Sequence, residues 1–222
     1  MKIIWLSLIL VLLCPCWAQA TELRCACGQG ADDGDESLES GFVDTANVDY
    51  CIELIQKSVI KRWGGAMRFP AVTIPQGATI NSAYIQLTNA SGSPFIVACD
   101  TVACHNVDDA TVLEGGTGTY DISERWANPT NKVFWQDSMN PSVVARDSTC
   151  DLKVALQDVV DREGWESGNA VMFLFKTIAC PVCTAYYECF SFEINGSREE
   201  SLLVDYTSNG DGATTKKLMW KK

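Results

Sequence analysis

The sequence predicts an all-β protein: a β-sandwich of jelly-roll type with one short helix, disulfide-stapled. Three observations carry that expectation. Apolar residues recur in short, near-period-two runs, and Gly, Pro and Asn punctuate them at regular spacing. Only one segment, Asp151–Arg162, places apolar residues (Leu152, Leu156, Val159, Val160) at i, i+4, i+7 and i+8, one face of a helix. Eleven cysteines are present, and all but Cys14 and Cys16 follow a stretch that reads as a secretory signal, the setting in which disulfides form.

That stretch is Lys2, the apolar run Ile3–Leu13, too short to span a bilayer, and the small-residue ending Ala18-Gln19-Ala20. The expected organisation is a signal peptide over 1–20, one sandwich over 21–206 and a flexible polar tail over 207–222. The mature chain is long enough for one all-β domain with a full core. The whole chain carries −11; without Lys2 it has 16 basic against 28 acidic residues, or −12. This acidity argues against nucleic acid and anionic membranes as partners, and no later run is apolar enough for membrane insertion. Secretion to an extracellular location is expected.

Taken in order, Thr21–Gly41 is rich in Gly, Asp and Cys and reads as an N-terminal arm or loop. Phe42-Val43, Tyr50–Ile55 and Ser58–Trp63 are short strand candidates. Met67–Leu87 then gives two β-type segments around the break Pro75-Gln76-Gly77, where Pro75 fixes φ and Gly77 supplies freedom. Past the break, Ile85 and Leu87 share one strand face, Tyr84 and Gln86 the other. Pro94–Cys99 is a strand, and Cys104–Thr119 a long loop. Asn131–Gln136 is another short strand, followed by the helix with Asp151 as N-cap and Gly164 as stop. Ala170–Ile178 is continuously apolar, as in a strand covered on both faces. Tyr186–Ile194 and Leu202–Tyr206 complete the strands.

A family resemblance rests on Ala66-Met-Arg-Phe69, Ile74-Pro-Gln-Gly-Ala-Thr-Ile80, Ser82-Ala-Tyr-Ile-Gln86, Asp151-Leu152, Gln157–Arg162, Gly164-Trp165, Ser167–Ala170 and Leu202–Tyr206. With the acidic residues near Asp32, this pattern resembles the DNRLRE-type domains of secreted, mostly bacterial proteins. The resemblance implies a jelly-roll sandwich related to carbohydrate-binding modules. Some such relatives bind acidic polysaccharides. The dense cysteines and the Cys99–Cys104 segment depart from the family pattern.

Few residues single themselves out for chemistry. His105 is the only histidine, so any Ser-His-Asp or Cys-His group would have to use it; a loop histidine beside a disulfide is the plainer reading. Cys180-Pro-Val-Cys183 has oxidoreductase spacing, but strand-like flanks favour a structural disulfide. Cys99 and Cys104 are expected to pair across a short turn. An odd number of mature cysteines leaves one for self-association between chains. Asp32, Asp33, Asp35 and Glu36 form a hard-oxygen cluster of the kind calcium needs, and jelly-roll modules often carry a structural calcium near the start of the chain. Trp126 and Trp63 lie beside loops and are the candidate sugar-stacking platforms, whereas Trp135 and Trp165 are expected in the core. Asn89 and Asn195 begin N-glycosylation sequons.

The expected function is a secreted, non-catalytic binding module for extracellular polysaccharide or glycan. The alternative is a structural or assembly subunit of an extracellular matrix, appendage or cell surface, and a polysaccharide-cleaving enzyme ranks third.

Overall fold

The structure is a computed structural model and describes residues 20–37, 39–46, 49–53, 63–90, 96–139, 146–177, 187–191 and 200–208. In chain order the strands are β1 (Ala20–Ala26), β2 (Asp33–Ser37), β3 (Phe42–Asp44), β4 (Asp49–Glu53), β5 (Trp63–Phe69), β6 (Thr79–Thr88), β7 (Ile96–Cys104), β8 (Val133–Met139), β9 (Arg146–Ser148), β10 (Val171–Thr177), β11 (Tyr187–Phe190) and β12 (Ser201–Thr207). Helix α1 spans Asp121–Arg125 and α2 spans Lys153–Val160. One antiparallel sheet has the order β1-β12-β6-β9, a second β3-β2-β5-β10-β7-β8, and β11 pairs with β4.

Alternation within the strands builds the core between the two large sheets. Ile80, Ala83, Ile85, Leu87, Leu202 and Val204 point inward from the four-stranded sheet. Met67, Phe69, Val102, Trp135, Phe173 and Phe175 meet them from the six-stranded sheet. Phe69 packs edge-on against Phe173 with centroids 6.1 Å apart, and Trp135 against Phe175 at 6.2 Å, the geometry that aromatic quadrupoles favour. The step from Ile80 to Ala83 breaks period two because of a bulge. Asp205 pairs with Ser82 but Tyr206 with Ile80, leaving Asn81 as the extra residue.

The outer face of the six-stranded sheet has a second, smaller core. Ala66, Met172, Leu174 and Val43 are covered there by Ala110, Leu113 and Ile122 of α1. This explains the unbroken apolar run of β10, whose residues 171–175 are buried on both faces. Trp135 and Trp165 are in the core, as expected.

Several expectations require correction. The two β-type segments of Met67–Leu87 are not neighbours in one sheet: β5 and β6 belong to different sheets, and the segment between them crosses the sandwich. Val72 and Ile74 are buried along that crossing, Trp165 Nε1 donates to the Ile74 carbonyl at 3.0 Å, and Gly77 takes φ +67° at the turn. The arm before Phe42 is no loop: it holds β1, β2 and a single 3-10 turn. A second helix, α1, falls in a stretch without helical periodicity. Helix α2 begins two residues after Asp151, whose Oδ1 accepts Lys153 N–H at 3.0 Å, and ends at Val160 with Asp161 as its C-cap, before Gly164.

Disulfide stapling is corrected at one pair. Cys99 and Cys104 do not flank a turn; both lie on β7, five residues apart in extended chain. That is about 16 Å between Cα atoms, against the roughly 4.4–6.8 Å that a disulfide spans. Cys104 and Cys25 are thiols. Cys180 and Cys183 lie outside the described residues, as does Asn195. Asn89 is fully buried, which places its amide out of reach of a glycan in this fold.

Candidate functional site

The acidic run is divided by the strand that carries it. Asp33 lies opposite Met67 and so faces the main core, whereas Glu36 faces the outer side and accepts Ser123 N–H of α1 at 2.9 Å. Asp32 accepts Gly28 N–H at 2.9 Å and pairs with Arg68 Nη1 at 2.5 Å. Asp35 follows Asp33 to the inner side. Four carboxylates so distributed cannot surround one ion, and the run does not fit a calcium site. Asp33 instead comes together with Cys27 and Glu200, their donor atoms within 4.8 Å of one another and all three residues buried. A thiol in that set is foreign to calcium, which takes oxygen ligands.

His105 and Cys104 are neighbours in sequence but do not form a catalytic pair. Cys104 belongs to the main core, and its thiol pKa is raised well above the ordinary value by burial and then by Asp158. The His105 backbone bridges to Pro129 and donates to the Met172 carbonyl at 2.9 Å, and its Nδ1 is buried without a hydrogen-bond partner. Burial, followed by the Arg125 charge, holds its pKa below the ordinary value.

Trp126 ends α1 and donates its backbone N–H to Ile122 at 3.1 Å. It is half-buried, with part of its ring against the second core. The ammonium groups of Lys132 and Lys176 each sit 5.7 Å from its ring centroid, within cation–π range. No carboxylate of the described residues ion-pairs with either lysine. Strand register sets Phe134, Thr101 and Lys176 in one row across β8, β7 and β10, and Phe134 is 56 % exposed. Residues 129–131, just past Trp126, help line an open polar depression of about 630 Å³ with Asn106, Asp158 and Arg162. Its side chains are held in place: Arg162 Nη1 donates to Asn106 Oδ1 at 2.6 Å, and Asn131 N–H to Asp158 Oδ2 at 2.7 Å. The side chain of Trp63, the other predicted platform, lies outside the described residues.

One surface was not anticipated from the sequence. On the outer face of the four-stranded sheet, register brings Arg24, Leu203 and Tyr84 into one row and Glu22, Asp205 and Ser82 into the next. They line a hollow of about 270 Å³. The outward position of Tyr84 and Gln86 could be read from alternation, but their neighbours depend on β12 pairing with β6 on one side and with β1, more than a hundred residues away in sequence, on the other.

Among known proteins, no family model and no curated sequence matches this chain.

Proposed function

We propose that the protein is a secreted, non-catalytic binding module for extracellular polysaccharide or glycan, built on a jelly-roll sandwich of the DNRLRE type. The observation that carries this reading is Trp126, a half-buried aromatic with two exposed lysine ammonium groups over its ring, and a polar depression lined by residues 129–131 of the turn that follows it. A sugar ring packs its apolar C–H face on an aromatic surface, while its hydroxyls need fixed polar partners. The two lysines, in a chain of net charge −11, supply a local positive field suited to an acidic sugar. The resemblance to modules whose relatives bind acidic polysaccharides supports the same ligand class.

The test is a glycan array probed with the mature protein and its Trp126→Ala variant. Binding to at least one polysaccharide is expected, about tenfold weaker in the variant, as the loss of an aromatic contact worth roughly 1 kcal/mol or more implies. Affinity for an acidic glycan is expected to fall as salt is raised from 0.05 to about 0.5 M, because the lysines are exposed. A blank array would sink the reading.

A second reading, assembly with other copies, is favoured by Phe134, an exposed aromatic on β8, which among the described residues is an edge strand. Size-exclusion chromatography decides it: a Phe134→Lys variant is expected to shift an oligomer to monomer, and a wild-type monomer at all concentrations removes this reading.

A further inference from the structure

We propose a second saccharide site, for a neutral hydroxyl-rich sugar, in the hollow on the outer face of the four-stranded sheet, formed by Tyr84, Leu203, Arg24, Glu22 and Asp205. It lies on the opposite outer surface of the sandwich from Trp126. The choice of a sugar rests on the binding-module reading; the hollow itself does not.

The floor is apolar. Leu203 and Tyr84 are cross-strand partners on β12 and β6, both half-buried although no described element lies over them. Adjacent partners of this kind form a patch about one sugar ring wide, since directly opposed Cβ atoms lie roughly 5 Å apart. The hollow, about 270 Å³, is smaller than a drug-sized pocket and suits one or two rings.

The rim is polar and incompletely satisfied. Asp205 Oδ1 is buried and has no hydrogen-bond partner. A shielded carboxylate oxygen of this kind gains from a hydroxyl donor that reaches it. Asp205 sits at the bulge between β12 and β6, where a strand's side chains are re-aimed. Glu22 stands beside it across β1 as a second acceptor.

Charge selects a neutral ligand. Arg24 Nη2 donates to two neutral acceptors, Ser201 Oγ at 2.9 Å and Gln86 Oε1 at 3.3 Å, which leaves its charge uncompensated by any carboxylate bond among the described residues. Two carboxylates, Glu22 and Asp205, thus outnumber the one guanidinium among the lining residues, and a uronic acid would meet a net negative lining. The lysines around Trp126 favour the opposite kind of sugar. Two sites of different preference on opposite surfaces would let one molecule bridge two glycan strands, each contact raising the effective concentration of the other.

The test is a ¹H–¹⁵N NMR titration of the mature protein with cellohexaose, xylohexaose, mannohexaose and an oligouronate hexamer. At least one neutral hexasaccharide is expected to perturb the amides of Arg24, Tyr84, Leu203 and Asp205. The oligouronate should leave those amides unmoved. Tyr84→Ala is expected to weaken the neutral titration at least about tenfold without changing the spectrum around Trp126. Perturbation confined to the Trp126 region overturns this site while leaving the binding-module reading intact. No perturbation by any of the four sugars, neutral or acidic, overturns both.

Discussion

Asp32 is 1 % exposed, and its two oxygens have separate tasks: one takes the Gly28 amide, the other the Arg68 guanidinium. Arg68 also holds the Ala110 carbonyl through Nε at 2.6 Å, tying the loop over the second core to β5. Arg68→Ala would leave a buried carboxylate uncompensated, and a loss of about 3–5 kcal/mol in urea denaturation is expected. The acidic run could be read from sequence as oxygen ligands. That two of its members are structural depends on Arg68 and Ser123, which no local spacing announces. His105 gives a pH prediction. Burial, above all, holds its folded pKa below the ordinary 6.5, with Arg125 and Arg162 also opposing protonation and Asp121 favouring it. The unfolded chain therefore takes up the proton more readily, so this contribution is intact above pH 6.5 and is lost as pH falls through the ordinary value towards the folded one. Thermal melts should show His105→Gln losing less stability than wild type between about pH 7 and 5. Cys25, pushed up to about 11 by burial, and Cys104 should resist alkylation by iodoacetamide at about pH 8 in the native protein and react once it is denatured.

At the scale of elements, β6 shows how a strand with only a short partner on one side is kept satisfied. The strand β9 covers just Gln86–Thr88. Beyond it, side chains take over: Thr149 Oγ1 accepts Ile85 N–H at 3.0 Å, Asp151 Oδ1 accepts Ala83 N–H at 3.0 Å, and Gln157 Oε1 accepts Ile80 N–H at 2.8 Å. The Gln157 amide also donates to the Ala78 carbonyl at 2.9 Å, stitching α2 to the strand it packs on. Gln157→Ala is expected to cost about 1–3 kcal/mol, with amide exchange accelerated first at Ile80. Helix α2 was legible because Leu152, Leu156, Val159 and Val160 repeat at helical spacing. Helix α1 was not, for five residues are too few to show a period, and its Ser123 amide is capped by Glu36 from a distant strand. The bulge at Asn81 hid in the same way, since only the register of β12 reveals it.

For the whole molecule, alternation was enough to predict layered β-sheets, because a strand with one apolar face must bury it against another layer. The division of strands between sheets was not legible. A Pro-Gly break can close a hairpin or turn a chain from one sheet to the other, and the choice here depends on distant partners. Trp165 holds Ile74, Gly168 N–H donates to the Val72 carbonyl at 2.9 Å, and Gly77 N–H caps the α2 carbonyl of Val160 at 3.0 Å. Trp165→Phe removes one of these anchors from a buried site, and a loss of about 1–3 kcal/mol is expected from the orphaned carbonyl, read as a lower denaturation midpoint. The candidate surfaces share this origin. Trp126 could be picked out as an aromatic beside a turn, whereas its lysines come from two other segments of chain, and the Tyr84 hollow from three strands.

The position of β12 between β1 and β6 has a consequence for how the protein is made. Among the described strands β12 comes last in chain order, yet the four-stranded sheet has no centre without it. Until residue 207 has emerged, β1 and β6 have no common neighbour, and the main core has one wall missing. Productive folding of a nascent chain is thus postponed until β12 has emerged, in contrast to domains that assemble from the N-terminus onward. A circular permutant that places Ser201–Thr207 directly ahead of β1 should remove that delay and acquire protease resistance on the ribosome at a shorter chain length than the natural order allows.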